Sequence, residues 1–327
     1  MDKKTSPALV GGRPWQSYFT FHLSGAITAI LLVVAVVINA AVQPTFFTLY
    51  SFTSNFATFV PLVFAALAQA VIVIGGGLDL SIGAQIALVS VVALKVMDGQ
   101  DSKIVLGLVA AILTGALCGA VNGFVVSVIR LQPLIATFAT ASVFSGLALV
   151  VLPSPGGAVP PAMVAGYRMV AGPIPVPVIV VVLGALMWWV LSRTRFVRHL
   201  YAVGGNREAA YASLVPVTRV TFSSFVAGSI FASIAAFAVL ANTGSGDPLI
   251  GASMAMDSIA AVVLGGIALS GGRGNPLGAI AGALILAIST NILAFMRVPT
   301  TYRALASGLI IIVALALSVL TTREKKQ

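Results

Sequence analysis

Long apolar stretches recur along the whole chain, separated by short polar joints. Each is long enough to cross a hydrocarbon core of about 30 Å as a helix. The pattern predicts ten spans, at about 24–42, 56–76, 81–97, 104–128, 134–152, 174–192, 219–240, 255–269, 275–294 and 303–320. The ten-residue alternating segments of an outer-membrane barrel are absent. The expected fold is all-α: a polytopic membrane protein of about ten transmembrane helices with broken or re-entrant segments. Residues 1–327 read as a single transmembrane domain, with a cytoplasmic tail over about 1–20 and a cytoplasmic loop over about 193–218. The first apolar run is too long for a signal-peptide core, and no convincing small-residue cleavage site follows it.

Composition agrees, with 59% hydrophobic and 8% charged residues and a mean hydropathy of +1.09. The net charge of +10 sorts by side. If both termini are cytoplasmic, thirteen of the 18 Lys and Arg lie inside: Lys3, Lys4, Arg13, Arg130, Arg193, Arg195, Arg198, Arg207, Arg219, Arg273, Arg323, Lys325 and Lys326. Lys95, Lys103, Arg168, Arg297 and Arg303 lie outside. This asymmetry is the positive-inside signal and supports an even number of spans. The basic charge is therefore a topology signal, and no nucleic-acid partner is expected. Cys118, the single cysteine, sits within an apolar span, which excludes a disulfide within the chain.

The apolar pattern is broken most sharply in "VIVIGGGLDLSIGAQIAL", residues 71–88. Glycine costs a helix interior about 1 kcal/mol against alanine, and Asp at membrane depth costs about 2.5–3.5 kcal/mol on insertion scales. Irregular backbone there survives only where protein or an aqueous cavity surrounds it. Gly75, Gly76 and Gly77 are expected to break the chain between two helices, with Asp79 or Ser81 capping the second. Other polar side chains within spans, Gln69, Gln85, Asn122, Thr137, Thr140, Asn242 and Asn291, either line a path or bond between helices. The candidate translocation-path or gate residues are Gly76, Gly77, Asp79, Ser81, Asn122, Thr137, Thr140 and Asn291.

"GGLDLSIG" (76–83) and "GGIALSGG" (265–272) both fit G-G-x-x-L-S-x-G, and Gly115, Gly119 and Gly123 echo Gly274, Gly278 and Gly282 as small-residue stripes. A duplication or chance recurrence in a glycine-rich apolar chain both account for this. Residues 192–219 form the longest polar stretch and carry five arginines. Within it Gly204 and Gly205 read as chain breakers, Asn206 as an N-cap, and Glu208 with Ala209, Ala210 and Ala212 as a short helix that Pro216 ends. That helix is either a connector on the lipid headgroups or a docking helix for a cytoplasmic partner. The Pro/Gly-rich segment 153–173 is expected to form an outer loop without a regular helix.

Catalytic and nucleotide-binding motifs are missing. There is no P-loop, no nucleophile elbow and no zinc signature, His22 and His199 are the only histidines, and "GGRGNPLG" (271–278) is not a dinucleotide fingerprint. Neither enzymatic activity nor a metal or other cofactor is expected of this chain.

Four segments together carry a resemblance that extends from about 50 to 320: "GGGLDLSIGA", "NGFVVSVIRLQPLIATFAT" (122–140), "YAVGGNREAAYAS" (201–213) and "MDSIAAVVLGGIALSGGRGNPLGAIAGALIL" (256–286). The chain resembles the transmembrane permease subunit of bacterial ABC importers for sugars, the ribose, xylose and galactose group that includes an autoinducer permease. The resemblance implies an inner-membrane permease that pairs with a second permease chain, as homodimer or heterodimer. It further implies two cytoplasmic ATPase subunits, which hold ATP and Mg, and a periplasmic sugar-binding protein. It implies a coupling role for Gly204, Gly205, Asn206, Arg207, Glu208, Ala209, Ala210 and Ser213. The family's pattern places Gly and an aliphatic residue after that Ser, whereas Leu214, Val215 and Pro216 follow Ser213 here. The expected function is thus the translocating subunit of an ATP-driven importer of a monosaccharide or related small polar solute. The alternative is an ion-coupled secondary transporter or channel.

The charge asymmetry predicts that single cysteines at Arg195 and Lys325, introduced after replacing Cys118, stay unlabelled by an impermeant maleimide in intact cells while one at Arg168 reacts. Labelling at 195 without labelling at 168 would reverse the topology.

Overall fold

A computed structural model describes residues 14–299 and the isolated positions 302, 305, 308 and 309, with side chains from Gly25 onward. Twelve helices follow in chain order among these residues: α1 (Pro14–Val42), α2 (Leu49–Ile74), α3 (Ile82–Met97), α4 (Ile104–Ser127), α5 (Pro133–Val151), α6 (Pro161–Tyr167), α7 (Val176–Ser192), α8 (Arg195–Gly205), α9 (Arg207–Ala212), α10 (Val217–Thr243), α11 (Met254–Leu264) and α12 (Pro276–Phe295). Two-residue strands β1 (Val170–Ala171) and β2 (Ile174–Pro175) pair antiparallel between α6 and α7.

Nine of the ten predicted spans coincide with helices, and the tenth, 303–320, falls outside the described residues. The expected count of about ten crossings is not confirmed: among the described residues six helices are long and apolar enough to cross, or seven if α7 and α8, bent by 82° at their junction, count as one broken span. α3 and α11 have only 16 and 11 residues, and α3 is buried along most of its length while α11 is buried mainly in its last two turns. Bundle neighbours, in place of helix length, satisfy the chain beyond their ends.

α2 is the axis. From Val63 to Ile74 it is buried on every side, against α10, α12, α11 and α7. Its interior Pro61 lacks the N–H that would bond the Ala57 carbonyl. The Tyr167 hydroxyl at the end of α6 donates to that oxygen at 3.0 Å. Burial raises the phenol well above its ordinary pKa, so the donor keeps its proton. The segment 153–173 is thus not the featureless loop expected: α6 forms there, with Pro161 in its first turn, where a missing N–H is harmless.

Small residues set the closest approaches. Gly119 in α4 faces α10, and a Cβ there would lie 2.6 Å from Ser229 Oγ and 2.7 Å from the Phe225 carbonyl oxygen. Gly115 and Gly123 meet α10 in the same way, and Gly278 and Gly282 seat α12 on the Gly265 and Ala261 carbonyls of the α11 end. Gly274 is not part of that stripe. It precedes α12 with φ +117° and packs on Ile267.

Glycine's two roles separate by substitution. Gly119→Ala is expected to destabilise the detergent-solubilised protein by about 1–3 kcal/mol through overpacking. Gly146→Ala on α5, where a Cβ meets nothing within 4 Å, is expected to be neutral or to stabilise by up to about 1 kcal/mol through helix propensity. Thermal unfolding of both variants checks the opposite signs.

Candidate functional site

α2 ends at Gly75 because the glycines that follow turn the chain, Gly76 with φ +80°. The N–H groups of Gly75, Gly76 and Gly77 bond back to Val71, Val73 and Ile72 carbonyls. The chain then runs irregularly to α3, and side chains satisfy it. Thr137 Oγ1 from α5 donates to the Leu78 carbonyl (3.3 Å) and accepts from the Leu80 N–H (3.0 Å). The Gln69 amide, oriented to suit both groups, donates to the Asp79 carbonyl (3.0 Å) and accepts from the Asp79 N–H (3.3 Å). Gly272 donates its N–H to the Ile74 carbonyl at 2.9 Å.

The Asp79 carboxylate sits at the centre of this turn. Its Oδ1 accepts from the Ser81 N–H (2.7 Å) and Ser81 Oγ (2.6 Å), and its Oδ2 from Gln85 Nε2 (2.9 Å) and Asn122 Nδ2 (3.3 Å). Asn122 also donates to Ser81 Oγ (2.7 Å) and accepts from Thr140 Oγ1 (2.6 Å). Asp79 therefore caps through one backbone N–H and three side-chain donors. Ser81 holds the N-cap position of α3, but its side chain makes no cap bond. Five predicted residues, Asp79, Ser81, Asn122, Thr137 and Thr140, meet in one network joining α3, α4 and α5. All but Thr140 are fully buried within the single chain.

Asn291 lies elsewhere. It donates to Asn39 Oδ1 (3.3 Å) and Gln43 Oε1 (3.1 Å), and Asn55 also donates to Gln43, in a separate amide cluster between α1, α2 and α12. Gln69 and Gln85 complete the Asp79 turn but were absent from the gate set. Gln85 follows Ser81 by four residues, a helical spacing that signals the contact. Nothing local in the sequence marks Gln69, because its partner is a backbone reached only when the chain folds back.

The second break repeats the first. Gly265 and Gly266 end α11 with φ −71° and +76°, against −72° and +80° at Gly75 and Gly76, and the N–H bonds of Gly265, Gly266 and Ile267 return to Ala261, Val263 and Val262. The matching pair in the first break is thus Gly75–Gly76, one residue earlier than the shared sequence motif indicates. The Leu264 carbonyl, equivalent to that of Ile74, accepts from Thr28 Oγ1 of α1 at 2.8 Å.

α9 stands at the same end. Asn206 Oδ1 accepts from the Ala209 N–H at 2.9 Å, the expected N-cap, and Glu208 lies in the first turn. Arg207, Glu208 and Ala209 are exposed, whereas Ala210 is buried. Gly204 and Gly205 do not break the chain as expected; they form the last turn of α8, which presents α9. Helix α9 ends at Ala212, and Leu214 follows with φ +61° and 92% of its surface exposed. A side chain in that left-handed region costs about 1–2 kcal/mol that glycine avoids.

The arrangement holds no group of three or more His, Cys, Asp or Glu suited to a metal among the described residues. It consists of two hydrogen-bonded breaks beside a capped, exposed helix. The family model for the branched-chain amino acid transport system / permease component matches residues 51–315. The ribose import permease protein of Escherichia coli is 30% identical over 311 residues, 93% of this chain and 96% of the relative. That of Bacillus subtilis is 36% identical over 258 residues, 77% and 79% of the two chains. The D-allose transport system permease protein of Escherichia coli is 30% identical over 320 residues, 94% and 93%. No solved structure matches. With its helical bundle, both breaks and the exposed helix inside the matched span, the chain belongs to this family of transport-system permease components.

Proposed function

We propose that this chain is the membrane-spanning subunit of an ATP-driven importer that passes a monosaccharide or similar hydroxyl-rich solute inward from a periplasmic binding protein. The observation that carries the reading is α9: a capped helix, exposed on its Arg207–Ala209 side, at the end of the bundle where both breaks lie. A chain with no P-loop of its own must receive ATP-driven motion from another subunit, and α9 is the surface suited to it. ATP and Mg then reside on that ATPase, two of which serve a pair of permease chains. The relatives named for ribose and allose import support a sugar as cargo. The split of basic residues supports an inner-membrane protein with both termini in the cytoplasm.

The Asp79 turn is read as the anchor of the cytoplasmic gate. Gly76 and Gly77 turn the chain, while Ser81, Asn122, Thr137 and Thr140 hold the turn to three helices, so motion at the end of α2 is passed to α3, α4 and α5 together. Asn291 belongs to the path only through its own cluster with Asn39 and Gln43.

Two experiments test this. Ala209→Arg places a bulky charge on the docking side, and co-purification of the ATPase with the permease and binding-protein-dependent uptake of labelled ribose, allose or fructose are expected to fall together, by about tenfold or more. Normal values of both would reduce α9 to a connector. At the turn, Asp79→Asn is expected to keep the complex assembled, because the Gln85 and Asn122 amides can reorient to it. Asp79→Leu removes the acceptor of four hydrogen bonds and leaves the Ser81 N–H and hydroxyl without one, at about 1–3 kcal/mol each, and is expected to lower thermal stability sharply. Equal stability of the two variants would show that the carboxylate network does not hold the turn.

A further inference from the structure

α9 itself sits shallowly on the bundle, and its neighbour α8 makes the deep contact. The Leu200 side chain is fully buried and reaches Gly75, where a Cβ would stand 2.8 Å from its Cδ1. The Tyr201 hydroxyl donates to the Gly274 carbonyl at 2.6 Å. A Cβ on Gly204 would overlap the Ile74 carbonyl oxygen and come within 2.7 Å of the Gly272 nitrogen, the same two groups that share the 2.9 Å hydrogen bond between the breaks. From the other side, a Cβ on Gly271 would lie 2.8 Å from Gly76 Cα, and one on Gly272 would overlap the Gly205 backbone. Three separate chain segments thus meet peptide to peptide, with no side chain between them. The next residue in α8 is different: a Cβ on Gly205 meets nothing within 4 Å.

We propose that Gly204, seated on Ile74 and Gly272, is the output joint of the coupling segment, through which displacement of α9 moves the end of α2 and the α11–α12 loop as one body. This rests on the reading of α9 as the ATPase-docking helix. A contact made by long side chains can absorb a displacement by changing rotamers, whereas peptide groups in van der Waals contact have no such freedom and pass it on. One displacement therefore reaches two places: the Asp79 turn, and with it α3, α4 and α5, and the start of α12. Gly204 is a positioning residue in this scheme and touches neither solute nor ATP. The Tyr201 bond guides the same joint. Burial pushes its phenol up to about 12, so it remains a donor across cytoplasmic pH.

The test is the number of ATP molecules hydrolysed per solute taken up, measured with the full complex in vesicles, using labelled ribose, allose and fructose as probes. Gly204→Ala lifts α8 from Ile74 without altering α9, and the ratio is expected to rise about tenfold while the ATPase still co-purifies. Tyr201→Phe removes one bond and adds no bulk, and a smaller rise, of about twofold to fivefold, is expected. Ala202→Ser, on the exposed side of the same helix, keeps the wild-type ratio. A wild-type ratio in Gly204→Ala overturns the joint, as does loss of the ATPase from that variant in proportion to its loss of uptake. Should Gly204→Ala fail to accumulate in the membrane, an unchanged ratio in Tyr201→Phe overturns it instead. If no ATPase co-purifies with the wild-type chain, the docking reading fails and the joint fails with it.

Discussion

A peptide group inside a bilayer has no water to fall back on, and this requirement organises the fold. Wherever the chain departs from regular helix, a named partner appears. Pro61 frees the Ala57 carbonyl, and Tyr167 takes it. α2 and α11 stop short, and the Ile74 and Leu264 carbonyls are taken by Gly272 and Thr28. Leu78, Asp79 and Leu80 lie outside regular helix, and Thr137 and Gln69 satisfy them. Apart from the Gln69–Asp79 pair, these bonds join segments distant in sequence, so satisfying the backbone also fixes the tertiary arrangement.

That double duty explains why the polar residues lie where they do. In water, a turn such as 75–81 would leave its carbonyls and N–H groups to solvent and need no particular neighbours. Here Asn122, Thr137 and Thr140 on α4 and α5 are required by a turn that precedes them by more than forty residues. The buried carboxylate adds rigidity because it accepts from donors on both α3 and α4. Removing one partner would strand several buried polar atoms at once.

Much of this was legible in the sequence, because hydropathy reports spans and glycine with Asp reports an interruption. The nine matched spans, the Asn206 cap and the choice of Asp79, Ser81, Asn122, Thr137 and Thr140 as polar residues within spans rest on local or compositional signals, whereas their meeting in one network is a result of the tertiary fold. Other features were not legible. Gly204 and Gly205 look like breakers, since glycine is poor in helices, yet both stay helical in the last turn of α8, and at Gly204 a side chain would collide with α2 and the α11–α12 loop. Tertiary contact overrides propensity at that point. Asn291 has the same composition signal as Asn122, but helix placement sends it to a different cluster. The shared G-G-x-x-L-S-x-G motif also misaligns the two breaks by one residue, because hydrogen bonding counts from the end of the helix while the motif counts letters.

The second half of α2 is buried on every side, yet among the described helices α2 is the second to be synthesised, while α10, α11 and α12, which cover much of it, emerge about 150 or more residues later. Its best window has a mean hydropathy of 2.3, ample for lipid alone. The helix can therefore enter the bilayer as an ordinary span and wait there until the rest of the chain closes around it. Its sequence must serve two solvents in succession, hydrocarbon during biosynthesis and protein afterwards. That demand favours small and aliphatic residues along its length, and it leaves the glutamine at position 69 as the one strongly polar group in its buried second half to wait in lipid for the turn that follows it.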